Sequence, residues 1–462
     1  MPDTKHINKD LTRREALRLA GKAAAAGFMF PLLGEKLFAR PKQPNIIFIL
    51  SDDHRWDALG SMGHPFVQTP NLDRLAKEGV RFSNAFVTTS LCSPSRASFL
   101  TGQYAHTHGV QNNLTPWQNS NVTFLELVKK RGYDTAFIGK WHMPGKLPEL
   151  RGVDRFITFT AQGGQGQYYN CPLIIDGEEV PSRKPYITEE LTDHALEFIE
   201  KKRENPFCLY LSHKAVHHQF LPPPELDGMY DDVPLNLPEE SDSWVGWAKG
   251  AVFAGVFAGP MQKFYRDYCE CITALDRQIG RVMKKLDELG IANDTVIVYA
   301  GDNGYFWGEH RLIDKRWAYE ESIRIPFFVR YPRMIARPGQ PVDGMVLNID
   351  LAPTVLSIAG IPVPENMEGR SIVPLLKNPD ARWRKAWLYE YFKDFPYQAP
   401  QMKAVRTSQY KYIEYEGSKG AELFDIIADP REKKNLVKLP RGREILPEMK
   451  RLLKELKAGK EI

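Results

Sequence analysis

A chain of 462 residues is longer than one small hydrophobic core can organise, and it fits one large domain followed by a smaller one. With 43% apolar and 26% charged residues it has the balance of an ordinary soluble globular protein, which excludes the disordered and fibrous classes. The net charge of +5 is largely local, because residues 1–39 hold seven Lys or Arg against four Asp or Glu; nothing in the remainder argues for nucleic-acid binding.

That basic segment is the first predicted element. Thr12-Arg13-Arg14-Glu15 precedes an alanine-rich apolar stretch from Leu19 to Leu33, broken only by Lys22. A paired arginine before a modest apolar run reads as a twin-arginine export signal over 1–39, with Ala39 at the cleavage position, so the mature protein is expected to be periplasmic or secreted. The run is too short and weakly apolar to span a bilayer, and no later stretch does better, so no stable membrane insertion is expected. Five cysteines in this length make no disulfide framework. Cys171, Cys208, Cys269 and Cys271 are expected to pack.

After the junction Pro41 to Pro44, Asn45 to Leu50 is a continuous apolar run of strand length, as in a sheet covered on both faces. It ends in Ser51-Asp52-Asp53-His54, and in open α/β sheets ligands sit at such strand ends. Asn71 to Glu78 reads as a helix. Leu91 to Gly102 follows, in which Pro94 suits a helix start after Cys92 and Arg96 offers a fork of donors shaped for a tetrahedral oxyanion. Thr123 to Arg131 reads as a helix, and the strand Asp134 to Gly139 delivers Lys140 and His142. Thr188 to Arg203 is a helix, and the strand Pro206 to Ser212 delivers His213, Lys214, His217 and His218. A long amphipathic helix, Lys263 to Leu289, leads to the strand Thr295 to Ala300, which ends in Gly301-Asp302-Asn303-Gly304. Carboxylates and an amide at two strand ends suit a hard cation such as Ca²⁺ or Mg²⁺. Gly308 to Arg316 adds Lys315.

Two stretches read as decoration: the polar loop Phe159 to Asn170, and Met229 to Gly259 with Trp244 and Trp247. Amides and aromatics there suit a sugar cleft and ordinary surface loops equally. Val346 to Ala359 is expected to form an apolar helix. Trp387 to Phe392, Lys403 to Thr407, Tyr410 to Tyr415 and Glu422 to Asp425 then read as strands of a small antiparallel sheet, before a terminal helix from Glu444 to Lys457. The fold class expected is α/β: a large mixed, mostly parallel sheet sandwiched by helices, with a smaller C-terminal α+β domain built on an antiparallel sheet.

The run Cys92-Ser93-Pro94-Ser95-Arg96 resembles the signature of the type I sulfatases, whose cysteine is oxidised after translation to formylglycine. The resemblance implies a nucleophile made from Cys92 by a formylglycine-generating maturation enzyme. It implies one Ca²⁺ held by Asp52, Asp53, Asp302 and Asn303, with residue 92 completing the set. It assigns Arg96, Lys140 and Lys315 to the sulfate oxygens, His217 to the departing alcohol and His142 to the proton of the remaining hydroxyl. One departure stands out: many members carry a proline where Val216 stands, and His218 follows directly, so His217 and His218 both remain candidates for that role.

The resemblance divides the chain into a catalytic domain over 40–375 and a small domain over 376–462. Asn112-Asn113, the run Ser212 to His217, and Gly308 to Tyr319 look most like the N-acetylglucosamine-6-sulfatase branch. That implies a sulfated saccharide as substrate. A phosphatase or phosphonate monoester hydrolase of the same superfamily is the enzymatic rival, and a non-catalytic glycan-binding protein with unmodified Cys92 is the other.

Overall fold

The apolar run at Asn45–Ser51 becomes the strand around which a ten-stranded sheet is built. The structure is a computed structural model that describes residues 43–148, 150–238, 261–417, 420–460 and 462. In chain order its strands are β1 (Asn45–Ser51), β2 (Val80–Phe82), β3 (Ala85–Phe86), β4 (Asp134–Gly139), β5 (Arg155–Thr158), β6 (Leu173–Ile175), β7 (Glu178–Val180), β8 (Phe207–Ser212), β9 (Thr295–Gly301), β10 (Phe306–Trp307), β11 (Ile313–Asp314), β12 (Phe327–Arg330), β13 (Pro341–Val342) and β14 (Val346–Leu347). The large sheet has the order β13-β2-β12-β9-β1-β8-β4-β5-β6-β7. β1 is parallel to both β8 and β9, and β4 and β5 extend the parallel block beside β8. β12 runs antiparallel to β9, and β6 antiparallel to β5.

Successive side chains of a strand point to opposite faces, so an unbroken apolar strand needs cover on both. Ile47, Ile49, Leu209, Leu211, Ile297 and Tyr299 enter one core with the helices Pro70–Glu78, Ile187–Glu200 and Met261–Glu288. Ile46, Phe48, Leu50, Tyr210, Val296 and Val298 enter the other with Cys92–Thr101, Phe124–Lys130 and Leu351–Ile358. Cys171, Cys208, Cys269 and Cys271 are buried free thiols, as their packing role requires.

The apolar helix expected from Val346 to Ala359 is shorter than its hydrophobicity suggests. Val346–Leu347 pairs with β3 as strand β14, Asn348–Asp350 makes a single tight turn, and the helix proper is Leu351–Ile358. Asp350 sets this break: its carboxylate accepts the Leu347 N–H at 2.8 Å and the Arg370 N–H at 2.8 Å. Arg384 clamps the same carboxylate with two N–H donors at 2.6 and 2.7 Å, and both side chains are buried. Removing one partner of a buried pair strands the other, so Arg384→Ala is expected to lower stability by about 3–5 kcal/mol, read by urea unfolding. A loss below about 1 kcal/mol would show that the pair is not what holds this junction.

The second sheet is an antiparallel meander of β15 (Ala386–Tyr391), β16 (Met402–Thr407), β17 (Tyr410–Tyr415) and β18 (Ala421–Asp425). One face, with Leu388, Val405, Tyr412 and Leu423, packs on Met449, Leu452 and Leu453 of the terminal helix Pro440–Lys457. The other, with Trp387, Tyr389, Ile413 and Phe424, packs on Phe86, Leu91, Tyr319 and Leu347, and so buttresses the segment that leads into Cys92. The export signal read over 1–39 lies outside the described residues, as do Trp244 and Trp247. Among the described residues no helix is long and apolar enough to cross a membrane.

Candidate active site

Parallel strands end at one edge of a sheet, and here four of them release their next residues side by side. The register pairs Ser51 with Gly301, Leu50 with Ser212, and Gly139 with Ser212. Hydrogen bonds continue the pairing past the strand ends, from Asp302 N–H to Ser51 O at 2.9 Å, Asp52 N–H to Ala215 O at 2.9 Å and Lys140 N–H to Ser212 O at 2.8 Å. Two glycines permit the crowding. Gly139 has φ +117, and a Cβ on it would lie 1.7 Å from the Ser212 carbonyl oxygen; one on Gly304 would lie 2.0 Å from the Glu321 carbonyl oxygen.

Cys92 opens the wholly buried helix Cys92–Thr101, and its Sγ lies 3.6 Å from Asp52 Oδ1. One turn along, Arg96 donates from Nε and Nη2 to Asp302 Oδ2 at 3.0 and 2.7 Å, and its Nη2 lies 3.3 Å from Asp52 Oδ2. Arg96 Nη1 also donates to the Lys140 carbonyl at 3.0 Å and to Ser212 Oγ at 2.6 Å. Lys140 Nζ bonds Asp52 Oδ2, and donates to Gln165 Oε1 at 2.5 Å. Lys315 Nζ reaches both oxygens of Asp53 at 2.6 and 2.7 Å. Asp53 is tied to the β9 end by its own N–H, which donates to Asp302 Oδ1 at 2.9 Å, and by Asn303 Nδ2 at 2.6 Å. All the predicted site residues except His142 are thus joined by direct contacts to one cluster. His142 is connected through its carbonyl, which accepts from Ser93 Oγ, and its Nδ1 is buried with no hydrogen-bond partner among the described residues.

His217 and His218 are separated by geometry. A nitrogen of His217, an oxygen of Asp52 and Cys92 Sγ lie within 4.8 Å of one another, and His217 Nε2 is 3.8 Å from Asp53 Oδ2. Its Nδ1 bonds the His218 carbonyl at 2.6 Å, so the other nitrogen faces the cluster. His218 contributes that carbonyl.

Burial sets the electrostatics here, and the ion pairs decide its sign. Burial alone would raise Asp52, but Lys140, His217, Arg96 and Lys315 outweigh it and hold the carboxyl well below its usual range. At Asp53 burial together with Asp52 outweighs Lys315 and the group is raised. Asp302 is raised to about 7 by burial and by Asp52, against Arg96. Burial drives the Cys92 thiol up to about 12, so the encoded residue is protonated and a poor nucleophile at neutral pH. Burial, then Lys140, lowers both His142 and His217 well below the ordinary histidine range.

The donor set fits a hard divalent cation. Carboxylate oxygens of Asp52, Asp53 and Asp302 lie within 4.8 Å of one another, and Asn303 Oδ1 beside them is buried without a hydrogen-bond donor among the described residues. Two raised carboxylates and an orphaned amide oxygen are relieved together by a cation that takes oxygen ligands.

Several participants were not singled out by sequence. Ser212, noted only as the first residue of a resembling run, touches Arg96 and the Lys140 carbonyl once β8 lies beside β4. Gln165 belongs to a loop whose composition was neutral between cleft and surface. Asn113, noted only as part of a resemblance, accepts the Ser93 N–H at 3.0 Å and so takes one of the free donors at the helix start.

A helix start, a carboxylate pair and three buried cations at the edge of a parallel sheet define an enzyme built to handle an oxyanion ester. Residues 44–361 match the Sulfatase family model, and residues 308–459 match the model of the N-sulphoglucosamine sulphohydrolase C-terminal region. The chain belongs to the sulfatase family. An N-acetylglucosamine-6-O-sulfatase from Bacteroides thetaiotaomicron is 32% identical over 467 residues, covering 86% of this chain and 83% of its own. An ulvan-active sulfatase from Formosa agariphila is 32% identical over 415 residues, covering 87% of this chain and 78% of its own. A solved structure of a protein in complex with its substrate D-glucosamine-2-N,6-O-disulfate has a TM-score of 0.83 and 31% identity, covering 90% of this chain and 98% of that one.

Proposed function

We propose that this sulfatase removes the 6-O-sulfate of an N-acetylglucosamine-type sugar, using a formylglycine made from Cys92 and one Ca²⁺. The contact of Cys92 Sγ with Asp52, inside a ring of buried cations, is the observation that carries the reading. The likeness to the glucosamine-sulfate relatives supports the substrate. Asp52, Asp53, Asp302 and Asn303 would hold the cation. When bound, it supplies positive charge beside the nucleophile and the sulfate oxygens.

A thiol pushed up to about 12 is a weak attacking group, and its sulfated product would have no internal route to release. The hydrated aldehyde of formylglycine supplies two hydroxyls, one to attack sulfur and one whose deprotonation expels sulfate. Arg96, Lys140 and Lys315 neutralise the sulfate oxygens, which otherwise repel the approaching nucleophile. His217, aimed by its Nδ1 bond to the His218 carbonyl, gives a proton to the departing sugar oxygen once the negative charge of the bound sulfate offsets the neighbouring cations and favours the doubly protonated ring. His142, whose Nδ1 lacks a partner among the described residues, accepts the proton of the second hydroxyl. We assign residues 1–39 to an export signal, 40–375 to the catalytic domain and 376–462 to the small domain, and infer a maturation enzyme that acts on Cys92.

Peptide mass analysis of the protein from its native host, with desulfation of defined saccharides, tests this. The expected result is an aldehyde at position 92 and turnover of 6-O-sulfated N-acetylglucosamine well above an aryl phosphate. Unmodified Cys92 as the sole species, or preference for the phosphate, would overturn it.

A further inference from the structure

Lys214 takes no part in the scheme above, yet it is the most unusual cation near it. It is 1% exposed, and among the described residues no carboxylate lies within ion-pair distance of its ammonium group. A buried lysine without an anion is costly unless other groups hold its charge. Two neutral groups do so: Nζ donates to the His218 carbonyl at 3.4 Å and sits 4.9 Å from the centroid of the Tyr168 ring. Both are tied to His217. The same His218 carbonyl bonds His217 Nδ1 at 2.6 Å, and the Tyr168 hydroxyl donates to the His217 carbonyl at 2.8 Å. The circuit closes through the backbone, where the His217 N–H donates to the Lys214 carbonyl at 3.0 Å.

We infer that Lys214 is a positioning residue for His217: its ammonium fixes the shared His218 carbonyl, and with Tyr168 beneath it locks the 214–218 turn so that His217 Nε2 faces the ester. Asp52 and Asp53 meet His217 from the end of β1 and Cys92 from the helix start, whereas Lys214 is tied to it through the His218 carbonyl. The inference rests on the reading of His217 as the acid that protonates the departing sugar. Loss of an acid's aim matters most when the leaving group is poor. An activated aryl sulfate needs little protonation, whereas a sugar alcohol needs it fully.

The test is a double-mutant cycle of Lys214→Met and His217→Ala on two substrates, p-nitrophenyl sulfate and a sulfated N-acetylglucosamine. Lys214→Met is expected to lower kcat on the sugar sulfate about 10- to 100-fold with KM changed less than about threefold, and to leave the aryl sulfate within about threefold. In the His217→Ala background the same change is expected to cost nothing further. Lys214→Gln, which keeps a donor for the carbonyl, is expected to recover most of the loss, and Lys214→Leu carries the cycle if Lys214→Met does not fold. Equal losses on both substrates, or a full additional loss in the His217→Ala background, would overturn the role of Lys214. If His217→Ala itself shows no leaving-group dependence, the acid reading of His217 fails instead, and the two failures are told apart by that single variant.

Discussion

Cys92→Ala is expected to lower kcat/KM on a sulfated saccharide by about 10⁴-fold or more while leaving the fold intact, because it removes the nucleophile and little else. Residue 92 is fully buried at the start of a helix that is also held by Arg96, Phe99 and Leu100, so a small side chain there is tolerated. Cys92→Ser separates the proposed chemistry from simple nucleophilic attack. A serine hydroxyl can accept the sulfuryl group, but it has no second oxygen with which to release it. The expected outcome is at most one turnover, with mass analysis finding the sulfuryl group retained on the peptide that carries position 92. Sustained turnover by the serine variant would remove the need for an aldehyde.

The second large effect belongs to Asp302. Its carboxylate takes two N–H donors of Arg96, at 3.0 and 2.7 Å, and the N–H of Asp53 at 2.9 Å, so it joins the β9 end to the helix and to β1. Asp302→Ala leaves Arg96 buried with less compensation, and the expected loss is about 3–5 kcal/mol in urea unfolding. Asp302→Asn keeps the shape and removes the charge. It is expected to lower kcat about 10²- to 10³-fold and to weaken Ca²⁺ binding in calorimetry, and the wild type is expected to lose activity to a chelator and regain it with Ca²⁺. An Asp302→Asn protein with unchanged activity and unchanged Ca²⁺ binding would remove this residue from the cation site.

What could be read without coordinates follows a physical pattern. β1, β4, β8 and β9 were legible because both faces are covered, which imposes unbroken apolar runs such as Ile46 to Leu50 and Val296 to Ala300. Their polar followers, Asp52, Asp53, Asp302 and Lys140, were legible for the same reason, since a charge directly after such a run stands out. The short strands were not. β2, β5 to β7, β12 and β13 are too brief for a period to develop, and β14 was hidden inside the apolar stretch before Leu351. Contacts that depend on which strands become neighbours were equally invisible: Ser212 meets Arg96, and Gln165 meets Lys140, only once the sheet order exists.

Gly139 and Gly304 carry a consequence for diversification of this scaffold. In the loop at 159–170, Gln165 meets Lys140 and Tyr168 bonds the His217 carbonyl, so those positions are fixed, whereas the exposed Gln162 and Gly163 leave room for variation. Positions 139 and 304 allow no such freedom, because any side chain there would meet a backbone carbonyl. A library aimed at new sulfated glycans should therefore vary the exposed positions of that loop and hold both glycines invariant.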